Sequence, residues 1–400
     1  MHSQAKKPSV FATLSLYFLD NFALALVYPI FTPLLFHRNS EFLVGINTGR
    51  IAYLGLLIAA FPIAQFFGGP IIGSIADHWG RKKAFYWTLL GEFLGVIMSA
   101  LAIRQSNFYA LLFSRLWTGF FAGNLIVCLA VFADMNVSTK ARSKSFGKLM
   151  MLGGLSFMAA ILVGGLFSNS QLLSYFTPAT PFWITATLCL INLWIIKRFF
   201  NETTKPVKAR LMHCLADIFC KCKYLRVRKL YVVYFLFMFA WITTLQFLSP
   251  LLFTDYDVEP LVITATLFGM SLVWSLTSGF LNRYLLSLTT PQKLVRITLV
   301  ALAICLILTN MPYRLWTIWL IFTFASSAAA LCWINILSLI SKTSEDAFQG
   351  KVLGLNQAVG ALAMIVGPLV GSYLGSINVH YIYLAGGIAT LISIPICIKK

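Results

Sequence analysis

The sequence predicts an all-α membrane protein of twelve transmembrane helices arranged as two pseudo-symmetric six-helix bundles. Three observations lead there. Hydrophobic residues make up 59% of the 400, and charged ones only 11%, against roughly 25% in a soluble domain. A soluble chain could not cover so much apolar surface with so few charges, so lipid must be the solvent. The Lys and Arg residues fall in bands between apolar runs rather than over a surface. The second half of the chain also repeats the first at a constant offset.

A span needs about 20 apolar helical residues. Such runs are read at 11–36, 50–76, 84–103, 108–134, 146–168 and 179–199, then at 230–253, 261–281, 295–311, 315–340, 351–375 and 379–398. Of the 31 Lys and Arg, 26 lie in the tail and gaps on one side, ten of them at 197–229. The other side holds only Arg38, Arg50, Arg104 and Arg314, while Arg115 is inside a span. The positive-inside rule then places both termini in the cytoplasm. The net charge of +19 accordingly reads as topology and attraction to anionic membrane lipids, with no nucleic acid as partner. The first run is too long for a cleaved signal peptide, lacks an A-x-A-like end and carries Asp20 mid-segment.

The basic stretch 200–229 divides the spans six and six. It implies an N-terminal bundle at 1–199, a cytoplasmic linker at 200–229 and a C-terminal bundle at 230–400. Tyr17-Phe18-Leu19 recurs as Tyr234-Phe235-Leu236, Phe22-Ala23 as Phe239-Ala240, and Pro33-Leu34-Leu35-Phe36 as Pro250-Leu251-Leu252-Phe253. That is nine identities over twenty positions at an offset of 217. Gly147-Lys148 and Val163-Gly164 recur as Gly350-Lys351 and Val366-Gly367. Two parallel six-helix repeats suit alternating access to a site at mid-membrane. A channel would need a filter or a charged ring, and neither is visible.

An ionisable side chain inside a span is a functional candidate because it costs several kcal/mol unless paired or wetted. This chain has three: Asp20, Glu92 and Arg115. Asp20 and Arg115 reach mid-depth from opposite faces, at roughly 13 and 10 Å of helical rise, so an ion pair or a shared cavity is open to them. Glu92 stands between Gly91 and Gly95, where close helix packing competes with a proton role. A second cluster is the short loop from Gly73 to Lys83. Gly73 allows close helix approach, Gly80 permits a positive-φ turn, and Asp77 suits a helix N-terminus. Arg81, followed by Lys82, offers a fork for a carboxylate, which Asp134 could supply. His213, Cys214, Cys220 and Cys222 match no zinc spacing, so no metal site is expected.

The 73–83 loop reads G-x-x-A-D-x-x-G-R-K and resembles the signature of the major facilitator superfamily between its second and third helices. Asp20 nine residues before Pro29, with Pro33 following, is similar to the D-x8-P pattern of the drug:proton antiporters. Arg115 to Gly119 resembles their R-x-x-x-G signature. Ala133-Asp134, Ala141-Arg142, Phe146-Gly147 and Pro181-Phe182 extend the likeness to the tetracycline/proton branch. The resemblance implies twelve helices, a central cavity lined by helices one, four, seven and ten, and a latch of Asp77, Arg81 and Asp134. Where that branch carries Gly-Pro on the fifth helix, this chain has Ala160-Ile161, and Gly367-Pro368 stands on the eleventh. Without that proline the fifth helix need not kink.

The expected function is proton-coupled efflux of a small organic solute, with Asp20, Arg115 and Glu92 in coupling. Asn21, Asn124, Trp241, Gln246, Trp333 and Asn335 are the polar and aromatic candidates for contacting it. Uptake or release of a polar metabolite is the alternative, and a non-transporting sensor or scaffold is the alternative of another class. No enzyme is expected, since no nucleophile–base pair appears, and no cofactor. The expected setting is a monomer in a bacterial inner membrane, with protons and one small-molecule substrate as partners.

Overall fold

A computed structural model describes residues 6–36, 42, 49–124, 127, 128, 131, 139–202, 225–311, 314–342 and 349–398. Among these, regular structure is entirely helical. The first half contains α1 (Lys6–Ala25), α2 (Tyr28–Phe36), α3 (Arg50–Trp79), α4 (Arg81–Arg104), α5 (Phe108–Phe121), α6 (Thr139–Leu166) and α7 (Thr180–Phe199). The second half contains α8 (Leu225–Tyr256), α9 (Pro260–Leu276), α10 (Asn282–Leu288), α11 (Pro291–Leu308), α12 (Leu315–Lys342), α13 (Gln349–Ile377) and α14 (Val379–Ile398). Ten helical stretches of the described residues are long and apolar enough to cross a membrane, and Leu152–Leu166 is a shorter apolar one.

Local chemistry explains where these helices start and stop. The first span breaks at Leu26–Val27 because Pro29 has no N–H to give Ala25 and its ring would meet that carbonyl. Pro29 then sits in the first turn of α2, where no N–H is needed. At the offset of 217 the position of Pro29 holds Gln246, and α8 runs unbroken through it. The fourth span was expected to be helical over 108–134, but α5 stops at Phe121, with Ala122 and Gly123 outside helix. The freed carbonyl of Ala122 accepts from Gln65 Nε2 at 2.6 Å, so the break leaves that polar group satisfied. The eighth span outruns its expected end at 281: a π-turn at Thr277–Leu281 feeds into α10. α6 passes through Ala160 and Ile161 as one α-helix, while Pro368 stands inside α13. Asn107 and Thr290 cap α5 and α11 by accepting from the N–H of Ala110 and of Lys293.

The chain separates into two compact units, Met1–Val44 with Ala60–Asp217, and Gly45–Ala59 with Ile218–Lys400. Within the first, α1 packs on α6 and α7, and α4 on α5 and α7. Within the second, α8 packs on α13 and α14, and α11 on α12 and α14. These are the same span pairings, one with five and six, three with four and six, carried over by six. The repeated tyrosine follows the rule: Tyr17 ends against Gly153 of α6, and Tyr234 against Gly360 of α13. Lipid gives helices no hydrophobic reason to associate, so close packing must hold them. At the α3–α5 crossing a Cβ on Gly119 would come within 2.2 Å of the Phe61 carbonyl oxygen, and one on Gly68 within 2.1 Å of that of Phe120. The backbones touch there.

Candidate functional site

The break after α5 delivers Asn124 to the middle of the first unit, where it is fully buried. Its Nδ2 donates to Asp20 Oδ1 at 3.0 Å and to Glu92 Oε1 at 2.7 Å. Its Oδ1 accepts from the Thr88 hydroxyl. One amide from the fourth span thus clamps carboxyls from the first and third, and the Glu92 carboxyl also lies against that of Asp20. Asp20 is 9% exposed and Glu92 2%. α4 is held to α5 beside this cluster, because Trp117 Nε1 donates to the Gly91 carbonyl at 3.0 Å. Asn124, expected among the substrate contacts, uses both amide hydrogens and its oxygen inside the protein. Asn21 spends its Nδ2 on the Tyr17 carbonyl of its own helix, at 2.8 Å.

Arg115 is buried at 3% exposure, and its place corrects the pairing that depth alone had left open. Among the described residues it forms no ion pair with Asp20 or any other carboxylate. Its guanidinium carbon lies 4.7 Å from the centre of the Phe61 ring and 5.7 Å from that of Phe31. Its Nε has no hydrogen-bond partner among the described residues.

At the loop between α3 and α4, Gly80 adopts φ +91°, a backbone open to glycine at little cost. The acid found beside it is Glu202, just past α7. Its carboxylate accepts from the backbone N–H of Arg81 at 2.9 Å and of Lys82 at 3.1 Å, at the positive end of α4. Lys82 Nζ donates to the Lys197 carbonyl at 3.2 Å, which ties the same two helix ends. Gly73 lies in the last turns of α3. The side chain of Asp77, all of Asp134 and the His213–Cys222 group lie outside the described residues, and so does the expected latch through Asp77 and Asp134. Sequence reasoning missed Glu202, although an acid opening a linker of eight cations was a signal.

In the second unit Trp241 stacks on Trp274 at 5.3 Å, and Trp274 meets Trp333 at 5.4 Å. Trp274 was also missed, because it stands on the eighth span. Asn335 donates to Asn282 Oδ1 at 2.8 Å. Gln246 Oε1 and Asn335 Oδ1 are buried with no hydrogen-bond partner among the described residues. Where α8, α11 and α14 meet, His380 Nε2 contacts Asp255 at 2.8 Å and its Nδ1 the Thr309 carbonyl at 3.1 Å. This joint carries no expectation from the sequence.

The sequence pattern described as Major Facilitator Superfamily matches residues 10–309 and 230–399. Multidrug resistance protein 2 of Bacillus subtilis (strain 168) is 24% identical over 349 residues, 85% of this chain and 84% of that one. The class H tetracycline resistance protein of Pasteurella multocida is 23% identical over 389 residues, 93% of this chain and 90% of that one. Among solved structures, the human organic anion transporter MFSD10 (TETRAN) superposes with a TM-score of 0.74 at 21% identity, covering 98% of this chain and 99% of that one. A D-xylose-proton symporter gives 0.76 at 13% identity, covering 98% and 97%. Paired six-helix packing, a buried carboxyl cluster and a family match over nearly the whole length agree: this chain is a multi-pass membrane transporter and belongs to the major facilitator superfamily.

Proposed function

We propose that this protein exports a small organic solute from the cytoplasm of a bacterial cell by exchange with protons. The observation that carries the reading is the carboxyl pair of Asp20 and Glu92 under the single amide of Asn124. Two buried carboxyls in contact repel if both are ionised, and Glu92 has no cation paired with it among the described residues. One proton held between them removes the repulsion and leaves a group that can release it when water reaches the site. Three spans contribute to the cluster, so moving any one of them changes its hold on the proton. That dependence couples proton to solute. The named relatives among multidrug and tetracycline resistance proteins support export, and the inner cations support a seat in anionic lipid with both termini inside.

One observation favours uptake as the second reading: α6 is continuous through Ala160 and Ile161, without the proline of the antiporter pattern.

The test uses the full chain in proteoliposomes carrying an interior pH dye and an imposed pH gradient, with tetracycline first in a panel of small organic solutes. One proton per solute limits accumulation to about tenfold per pH unit, since one unit is worth 1.36 kcal/mol. Asp20→Asn and Glu92→Gln should each abolish accumulation and leave downhill movement measurable. Folded double-variant protein that still accumulates solute with the wild-type pH dependence removes the pair from the mechanism. Accumulation only when the gradient is reversed selects uptake.

A further inference from the structure

Arg115 is a buried cation that no carboxyl among the described residues neutralises. The two acids nearest mid-membrane are clamped to each other by Asn124 instead. The Phe31 and Phe61 rings near the guanidinium favour a positive charge, but they carry no negative charge of their own. An unpaired charge taken out of water is strongly destabilising, so retaining one asks for a counter-charge from outside the chain.

The setting is rigid. Gly119, one turn along α5 from Arg115, rests on the Phe61 backbone with no room for a Cβ, and this contact fixes Arg115 over the Phe61 ring. The neighbouring Ser114 hydroxyl meets that of Ser99 on α4 at 2.8 Å, pinning the same turn from another side. Phe31 on α2 is held by stacking on Phe182 of α7, with ring centres 6.4 Å apart. Four helices beyond its own, α2, α3, α4 and α7, therefore hold the guanidinium and its neighbouring rings in place.

We infer that Arg115 is the docking point for an anionic group on the transported solute, and that Phe31 and Phe61 receive the apolar body next to it. The inference rests on reading the chain as a transporter of a small organic solute. A planar guanidinium accepts a carboxylate or sulfonate through two parallel N–H bonds, and neighbouring rings select an aromatic or apolar carrier over a hydrophilic one. The class is an amphiphilic organic anion.

The probes are 1-naphthylacetate and 1-naphthylacetamide, which share a frame and differ in charge. Full-length protein in zwitterionic lipid removes headgroups of net negative charge as rivals, and a parallel set in anionic lipid shows whether headgroups compete. Wild type should move the carboxylate at least tenfold faster than the amide, and the carboxylate should raise the melting temperature in detergent. Arg115→Gln should bring that preference to about one, and Arg115→Lys, which keeps charge without the fork, should fall between. Arg115→Gln should also melt higher than wild type without ligand, because it removes an uncompensated charge; a structural arginine predicts the opposite. Equal movement of both probes in wild type, no stabilisation by the carboxylate, or a charge preference that survives in Arg115→Gln overturns the inference. Proton flux driven by neutral solutes with no charge preference counts against this inference alone. Absence of any solute-driven proton flux counts against the transport mechanism instead.

Discussion

Gly80 and Glu202 should be energetically coupled, and the structure sets the size of the coupling. At φ +91° and ψ 155°, a backbone that is almost glycine's alone, an alanine costs about 1–2 kcal/mol in strain. Its methyl would also stand 2.5 Å from a Glu202 carboxylate oxygen, so the carboxylate must leave. It then gives up its two backbone bonds to Arg81 and Lys82. At this exposed position those bonds, with the attraction to the α4 N-terminus, are worth about 1–2 kcal/mol together. Gly80→Ala should therefore cost about 2–4 kcal/mol, and Glu202→Ala alone about 1–2. The double variant should cost no more than Gly80→Ala, leaving a coupling energy of about 1–2 kcal/mol. Thermal unfolding of the four proteins in detergent reads the cycle, at about 2–4 °C per kcal/mol for a unit of this size. Additive losses, or a Gly80→Ala protein as stable as wild type, would refute the reasoning.

Four further outcomes follow from the packing. Gly119→Ala must push α5 off the Phe61 backbone and should cost about 1–3 kcal/mol. Gly269→Ala on α9, with nothing within 4 Å, should be neutral or stabilising by up to about 1 kcal/mol in the same melt. Asn124→Ala strips both carboxyls of their shared donor and should destabilise the first unit by on the order of 3 kcal/mol, read by thermal unfolding, with accumulation lost in proteoliposomes. Trp274→Ala removes the middle indole of the trio and should cost about 0.5–1.5 kcal/mol per lost ring pair. If the trio contacts solute, the same variant raises KM with kcat nearly unchanged, whereas a packing role changes only the melting temperature.

The membrane class, the all-helical architecture and the internal repeat were legible in the sequence because hydropathy and offset identity are sums over neighbouring residues. The first span was read as one run over 11–36, and the break that Pro29 forces at the end of α1 emerged only in the structure. The three ionisable residues inside spans were also legible, since expense in lipid depends on residue type and position along a span. Their partners were not. Counting residues at about 1.5 Å of rise gives depth, but each residue also turns the helix by about 100°, and depth says nothing about which neighbour that rotation faces. Asp20 and Arg115 were close enough in depth to pair. Only the packing of α1, α4 and α5, with the break that brings Asn124 inward, joins Asp20 to Glu92, while α2 and α3 bring the Phe31 and Phe61 rings to Arg115. Glu202 and Trp274 became visible for the same reason. Each acts through contacts with residues 33 to 121 positions away, measured to Gly80's neighbour Arg81 for one and to Trp333 and Trp241 for the other, and no local pattern in the chain encodes where helices so far apart will meet.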